Sequence, residues 1–356
     1  MSRHRTLLGV AGAAGGAVAA GVAAGLFATH QSVQRQLRAP DPYRDEPFGR
    51  LPADRTRMVW TDDGVGLNVV EVGPADAPLT VVLVHGYTLS LDCWHFQRQA
   101  LAARPGVRVV LYDQRSHGRS GRSQAGRCTI DQLGEDLAAV LAAVAPQGPV
   151  VLVGHSMGGM TIMSLADRHP ELFGTRVVGV ALVSTSAGRV SELTFGLPAG
   201  VIVAARRLLP AVTVGARGSA RLVELGRRRP GDITYAVTRR FSFGSEASPS
   251  LVAFMERMVA STPLDVLLAF LPTFLDHDKL AALDVLRGIP VLIVGGENDL
   301  MTPVVHSEQL AAALPDAEFV RVPQAGHMAI LERSDVVNRA LERLLDRVAV
   351  AGGARV

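Results

Sequence analysis

The chain has 356 residues, 48% of them hydrophobic and 19% charged, with a formal net charge of +3. That is apolar material enough for one large domain with an insertion, and too much for a disordered chain. Two cysteines, Cys93 and Cys128, exclude a disulfide-built scaffold and leave either two free thiols or a single bridge.

Residues 1–6 are basic, with Arg3 and Arg5, and residues 7–29 carry no charged side chain. As a helix those 23 positions would span about 35 Å, enough for a bilayer core. The stretch is dominated by Ala and Gly, so three readings stand: an uncleaved transmembrane anchor, a long secretory signal, or a low-complexity leader. The first two make the protein membrane-anchored or exported. Arginines flank both sides (Arg3 and Arg5, then Arg35, Arg38 and Arg44), so charge does not fix the orientation. Residues 30–55, polar and Pro-rich towards their end, read as a tether.

The body begins with a hairpin. Arg57-Met58-Val59-Trp60 and Leu67 to Val72 flank the turn signal Asp62-Asp63-Gly64. Thr80 to Val84 is a strand, Asp92 to Ala103 a helix, and Val107 to Tyr112 another strand. Thr129 is the predicted cap of a helix running to Val144, in which Leu133, Leu137, Val140, Leu141 and Val144 recur at helical spacing. Val150 to Val153, Val177 to Val183, Ile289 to Gly296 and Glu318 to Val322 read as further buried strands. Strands alternating with helices predict an α/β fold with a mainly parallel sheet covered on both faces. Residues 189–287 lack such runs and show apolar helical segments instead, among them 201–209 and 251–259.

Gly154-His155-Ser156-Met157-Gly158-Gly159 follows the Val150–Val153 run directly and leads into a helical stretch. Strand, sharp turn and helix around G-x-S-x-G would hold a serine in a strained backbone and lift its hydroxyl clear of the sheet. A serine is a poor nucleophile at neutral pH, so a histidine must take its proton and a carboxylate must orient that histidine. Asp299 follows the Ile289–Gly296 strand and His327 follows the last one, in the chain order this turn predicts. Glu297 is a rival for the orienting role. His85-Gly86-Tyr87 ends the Thr80–Val84 strand, which assigns the backbone amides of Tyr87 and Met157 to an oxyanion hole, at about 3–4 kcal/mol per donor. Asp113 and Arg115 read as a structural pair beneath the site, and His85, His117 and His155 as structural turn residues. No metal-ligand spacing, phosphate loop or dinucleotide fingerprint is present, so no cofactor or metal is expected.

These motifs, with Tyr112-Asp113-Gln114-Arg115-Ser116-His117-Gly118-Arg119-Ser120 and Gly326-His327-Met328, resemble the α/β-hydrolase superfamily, in its lid-containing serine esterase and lipase branch. The resemblance implies a core of residues 56–188 and 288–350 with a helical lid at 189–287. Family members usually carry glycine where this chain has Ser116. A serine at the turn argues against the epoxide hydrolases and haloalkane dehalogenases, which use aspartate there.

The activity implied is hydrolysis of a carboxylic ester, lipid-derived or with a small acyl group, through an acyl-enzyme. Perhydrolases, cofactor-free haloperoxidases and carbon–carbon bond hydrolases share the same motif, and some receptors of this superfamily keep the fold without turnover. Residues 189–240 carry ten arginines against Glu192, Glu224 and Asp232, which suits either an anionic membrane surface or a solvated helix face. No basic run with interleaved aromatics suggests nucleic-acid binding.

Overall fold

The computed structural model describes residue 25, residues 27–188 and residues 231–353. Most of the apolar segment 7–29, and residues 189–230 of the predicted lid with the helical segment 201–209, lie outside the described residues. No single helix among the described residues is long and apolar enough to cross a membrane.

Residues 27–37 form α1, and His95–Ala102 form α2. The hairpin β1 (Arg55–Trp60) and β2 (Gly66–Val72) opens an eight-stranded sheet that continues with β3 (Leu79–Val84), β4 (Val107–Tyr112), β5 (Val150–His155), β6 (Val177–Val183), β7 (Val291–Gly296) and β8 (Glu318–Val322). The spatial order is β1-β2-β4-β3-β5-β6-β7-β8, with β1–β2 and β2–β4 antiparallel and every later pairing parallel. The register aligns Val84 with Gly154, His155 with Val183, and Gly296 with Val322. The carboxyl ends of β3, β5, β6, β7 and β8 therefore finish at one edge, where ligands bind in folds of this class.

Side chains alternate along each strand, so each face of the sheet carries its own core. Val82, Val84 and Leu152 pack with α3 (Ile130–Val144) and α4 (Met157–Arg168), while Val81, Leu83 and Val151 pack on the other face with the C-terminal helix Ser334–Gly353. Thr129 caps α3 by accepting from the Gln132 N–H at 3.1 Å. Its stripe of Leu133, Leu137 and Val140 is fully buried, each worth about 1.5–3 kcal/mol. Cys93 and Cys128 are free and lie in different cores, on opposite faces of the sheet, which settles them as two thiols rather than a bridge.

Between β6 and β7 the described chain is helical: α5 (Asp232–Ser242), α6 (Pro249–Ser261) and α7 (Leu264–Leu275), with α6 and α7 bent by 91° at the Thr262–Pro263 break. Phe270 of α7 joins the α3–α4 core, whereas Tyr235, Phe254 and Met255 of α5 and α6 join the opposite one. These helices thus straddle the carboxyl edge of the sheet. The N-terminal strap packs against them: Phe48 stacks on Phe254 with centroids 4.6 Å apart, and the Asp41 carboxylate accepts from the Ser250 hydroxyl at 2.7 Å.

Candidate active site

Ser156 stands between β5 and α4 with φ +53° and ψ −119°, a conformation that side chains rarely adopt. Three glycines make so tight a turn possible. A Cβ on Gly158 would lie 2.0 Å from the Val84 oxygen, one on Gly154 2.5 Å from the Gly158 oxygen, and one on Gly159 2.6 Å from the Thr185 side chain. The Ser156 N–H donates to the Val183 carbonyl at 2.9 Å, and the Thr185 hydroxyl donates to the Ser156 backbone carbonyl at 2.7 Å, so β6 and the residues after it brace the strained residue.

Asp299 follows β7 and is buried. Its Oδ1 accepts from the Met301 and Thr302 amides at 2.8 and 2.9 Å, and its Oδ2 from the Thr302 hydroxyl and His327 Nδ1, both at 2.9 Å. Four donors hold one carboxylate and aim it at one imidazole. Glu297 is exposed and, among the described residues, makes no hydrogen bond or ion pair to His327, whose Nδ1 is taken by Asp299. With Nδ1 engaged by Asp299, the Nε2 of His327 is the nitrogen left for proton transfer.

The structure brings Ser156 and His327 to neighbouring positions through His155, whose Nε2 bonds the His327 carbonyl at 2.9 Å and whose ring centroid lies 4.9 Å from that of His327. The Ser156 hydroxyl makes no direct hydrogen bond to His327 in this conformation, among the described residues. Gly86 approaches from the other side. A Cβ there would meet His155 Nδ1 at 2.8 Å and the Ser156 Cβ at 3.1 Å, which sets the Gly86-Tyr87 loop beside the serine. Met157 is the first residue of α4, so its amide has no acceptor within the helix. Tyr87 sends its hydroxyl to the Leu267 carbonyl of α7 at 2.6 Å.

The loop that carries Tyr87 is fixed by His85. The Gln114 N–H donates to His85 Nε2 at 2.9 Å, which puts the ring proton on Nδ1, where it is donated to the Gly86 carbonyl at 2.7 Å. Gln114 also donates from its side chain to the His85 carbonyl and accepts from Thr161 of α4. Burial lowers His85 to about 4 and His117 and His155 to about 3, so all three are neutral struts at pH 7.

Asp113 and Arg115 do not pair with one another, contrary to the expectation from sequence. Asp113 accepts from Asn68, from the Leu91 amide and from the Arg119 amide, while Arg115 reaches Asp136 of α3 at 2.6 Å and Asp63 of the hairpin turn at 2.9 Å. Two residues apart beyond a strand end, they serve different layers. Ser116 has φ +64°, the left-handed region that glycine favours, and this accounts for the family's usual residue at that position. Its hydroxyl accepts from the Ser123 amide at 2.9 Å.

Two contributors escaped sequence reasoning. Thr302 holds Asp299 by both its amide and its hydroxyl, and its spacing three residues after the carboxylate was an available signal. Glu332 gathers the amides of Gly244, Ser245 and Gly326 and the Ser245 hydroxyl, joining the loop before His327 to the end of α5. Nothing local in the sequence marks it.

Residues 80–334 match the family model described as "alpha/beta hydrolase fold". Among curated proteins, the chain is 27% identical over 288 residues to a bifunctional esterase/perhydrolase of Acinetobacter calcoaceticus, covering 80% of this chain and 97% of that one. It is 29% identical over 266 residues to a non-heme haloperoxidase of Rhodococcus erythropolis, covering 73% and 90%. Among solved structures, a thermophilic esterase from Thermogutta terrifontis superposes with a TM-score of 0.64 at 25% identity, over 83% of this chain and 99% of that one.

Proposed function

Because this chain belongs to the α/β-hydrolase fold family, we propose that it is a serine hydrolase acting on carboxylic esters. The observation that carries the reading is the strained Ser156 at the same sheet edge as an Asp299–His327 pair bonded at 2.9 Å. In this mechanism His327 Nε2 takes the Ser156 proton as Oγ attacks the ester carbonyl. Asp299 holds the imidazole in the tautomer that presents a free Nε2, and stabilises the imidazolium once it forms. The Tyr87 and Met157 amides receive the oxyanion, at about 3–4 kcal/mol each. The same imidazolium protonates the leaving alcohol. Water, activated by His327, then releases the acid and restores Ser156.

Perhydrolysis on the same residues is the second reading, supported by the esterase/perhydrolase and haloperoxidase relatives. There hydrogen peroxide replaces water in the second half-reaction, giving a peracid. Membrane association through residues 7–29 and the arginine-rich stretch 189–240 belongs to the same proposal, supported by their composition. It makes a lipid-derived ester the favoured substrate.

The test is a series of p-nitrophenyl esters of rising chain length, assayed with and without peroxide, together with fluorophosphonate labelling. Turnover and labelling are expected in the native protein, and Ser156→Ala loses both. Absence of turnover at every chain length together with absence of label would reject the hydrolase reading. Peracid formation at a rate exceeding hydrolysis would select the second one.

A further inference from the structure

One cavity lies away from the serine. It has a volume of about 820 Å³ and is walled by the strap at residues 44–50, the loops after β3 and β4, and α6. Ser156, Asp299 and His327 are not among its lining residues. Such a volume suits a ligand of drug-like size.

Four arginines line it: Arg44 and Arg50 from the strap, Arg119 from the loop after β4, and Arg257 from α6. None of the four guanidiniums has an ion pair or a side-chain hydrogen bond among the described residues. Arginines elsewhere in the body are engaged: Arg57 on Glu71, Arg115 on Asp136, Arg168 on Glu135 and Arg343 on Glu318. The contrast is confined to this pocket and the neighbouring N-terminal and α5 surface. Arg119 feels the Asp92 and Asp113 carboxylates, and the donors of all four guanidiniums stay open to a bound anion.

The acidic residues of the pocket offset this only in part. Glu46 is held by His95 Nε2 at 2.7 Å. Asp113 is buried under three donors. Burial and the neighbouring Asp113 carboxylate raise the pKa of Asp92, while Arg119 and Arg98 oppose the shift. Asp45 alone is exposed and unengaged.

The floor is apolar, built from Phe48, Leu91, Phe254 and Met258, all buried. The strap over it is fastened by the Phe48–Phe254 stack, by Tyr43 on Phe96 at 5.4 Å, and by the Asp41–Ser250 bond. Arg257 lies over the Phe254 ring at 5.7 Å, which holds its guanidinium at the rim.

We propose that this pocket is a second binding site, separate from the reactive serine, for an anionic amphiphile: a phosphate or carboxylate head held by Arg44, Arg50, Arg119 and Arg257 over an apolar portion on the Phe48–Phe254 floor. Guanidiniums bind such oxyanions through paired N–H donors, and Lys would not replace them. The head belongs either to a lipid in a bilayer surface or to a free phosphorylated metabolite, and both present the same chemistry.

The experiment uses the full chain and the double variant Arg44→Gln/Arg257→Gln, whose positions are exposed and outside the catalytic residues. Binding of monomeric dihexanoyl phosphatidic acid is measured by titration calorimetry, with dihexanoyl phosphatidylcholine and inorganic phosphate as comparisons. Fluorophosphonate labelling and circular dichroism check that the variant remains folded. Phosphatidic acid is expected to bind the native chain at least tenfold tighter than the variant, and the zwitterionic lipid to bind weakly to both. Co-sedimentation with vesicles of phosphatidylcholine containing phosphatidic acid separates the sources. Loss of sedimentation in the variant assigns the site to a lipid head, whereas unchanged sedimentation beside weakened monomer binding, with inorganic phosphate competing, assigns it to a free phosphorylated ligand. Equal binding of phosphatidic acid by the two proteins, or none by either at millimolar concentration, overturns the proposal. The readout is binding, so it stands or falls independently of ester turnover.

Discussion

Lowering the pH from 7 to 5 should cost this protein a large share of its stability, through three histidines. His85, His117 and His155 are fully enclosed, and burial depresses them to about 4, 3 and 3. The hydrogen bonds agree with those directions. The lone pair of His85 Nε2 already accepts the Gln114 amide, and His117 Nε2 and His155 Nδ1 face no partner that could receive a proton. In the unfolded chain each titrates near 6.5, so the unfolded state binds protons first as acid is added. Their contribution is therefore complete above about pH 6.5 and is lost as pH falls towards the folded values. At pH 5, 1.5 units below the unfolded pKa, each forfeits about 2 kcal/mol, roughly 6 kcal/mol together, against a typical total of about 5–15 kcal/mol. Asp113 works in the opposite sense, since burial raises its pKa and the folded state takes up its proton first. Urea unfolding followed by tryptophan fluorescence at pH 7, 6 and 5 measures the sum. With a slope of about 3 kcal/mol per molar urea, the midpoint should fall by up to about 2 M, less the offset from Asp113. His117→Asn, which keeps a donor for the Arg115 carbonyl, should remove about a third of that dependence. A midpoint that stays level across this window would refute the reasoning.

Removing the Thr302 hydroxyl by Thr302→Val leaves Asp299 one donor short in a buried setting, a loss of about 1–3 kcal/mol. If that is expressed in the transition state, kcat on a p-nitrophenyl ester falls roughly 5- to 150-fold with KM little changed, and a change confined to KM would show that the hydroxyl serves binding instead. Ser116→Gly relieves a left-handed φ of +64° but sacrifices the bond from Ser123, so thermal unfolding should shift upwards by no more than a few degrees. A clear fall in midpoint would mean that the bond outweighs the strain. Glu332→Gln keeps the shape but weakens four charge-assisted bonds, and amide exchange at Gly326 and Gly244 should quicken together, which a purely local role would not produce.

What could be read from the sequence, and what could not, divides by the range of the interactions. The strands, the Thr129 cap and the turn around Ser156 are encoded within a few neighbouring residues, by aliphatic runs, a capping hydroxyl and glycines that only a crowded turn requires. Chain order carried Asp299 and His327, because the sheet topology delivers each to the same edge. The assignment of Asp113 to Arg115 failed because nearness in the chain says nothing about direction. One turns towards β2 and the β3 loop, the other towards α3 and the hairpin. Glu332 was invisible because its partners lie 88, 87 and 6 residues away and are mostly backbone amides, which leave no trace in composition. The arginine-lined cavity is likewise assembled from four stretches that no spacing rule connects.

The bracket formed by Glu332 has a mechanical consequence. It welds the carboxyl end of α5 to the segment preceding His327, and the Met328 N–H adds a further rivet to the Ser242 carbonyl at 2.8 Å. The helical cover cannot swing away at this corner without dragging the imidazole with it. Under the proposed mechanism, substrate that leaves His327 undisturbed would pass by α7, which is fastened to the body separately, by the Tyr87 hydroxyl on the Leu267 carbonyl, the Ile130 amide on the Thr273 hydroxyl at 3.0 Å and the Arg122–Asp265 pair.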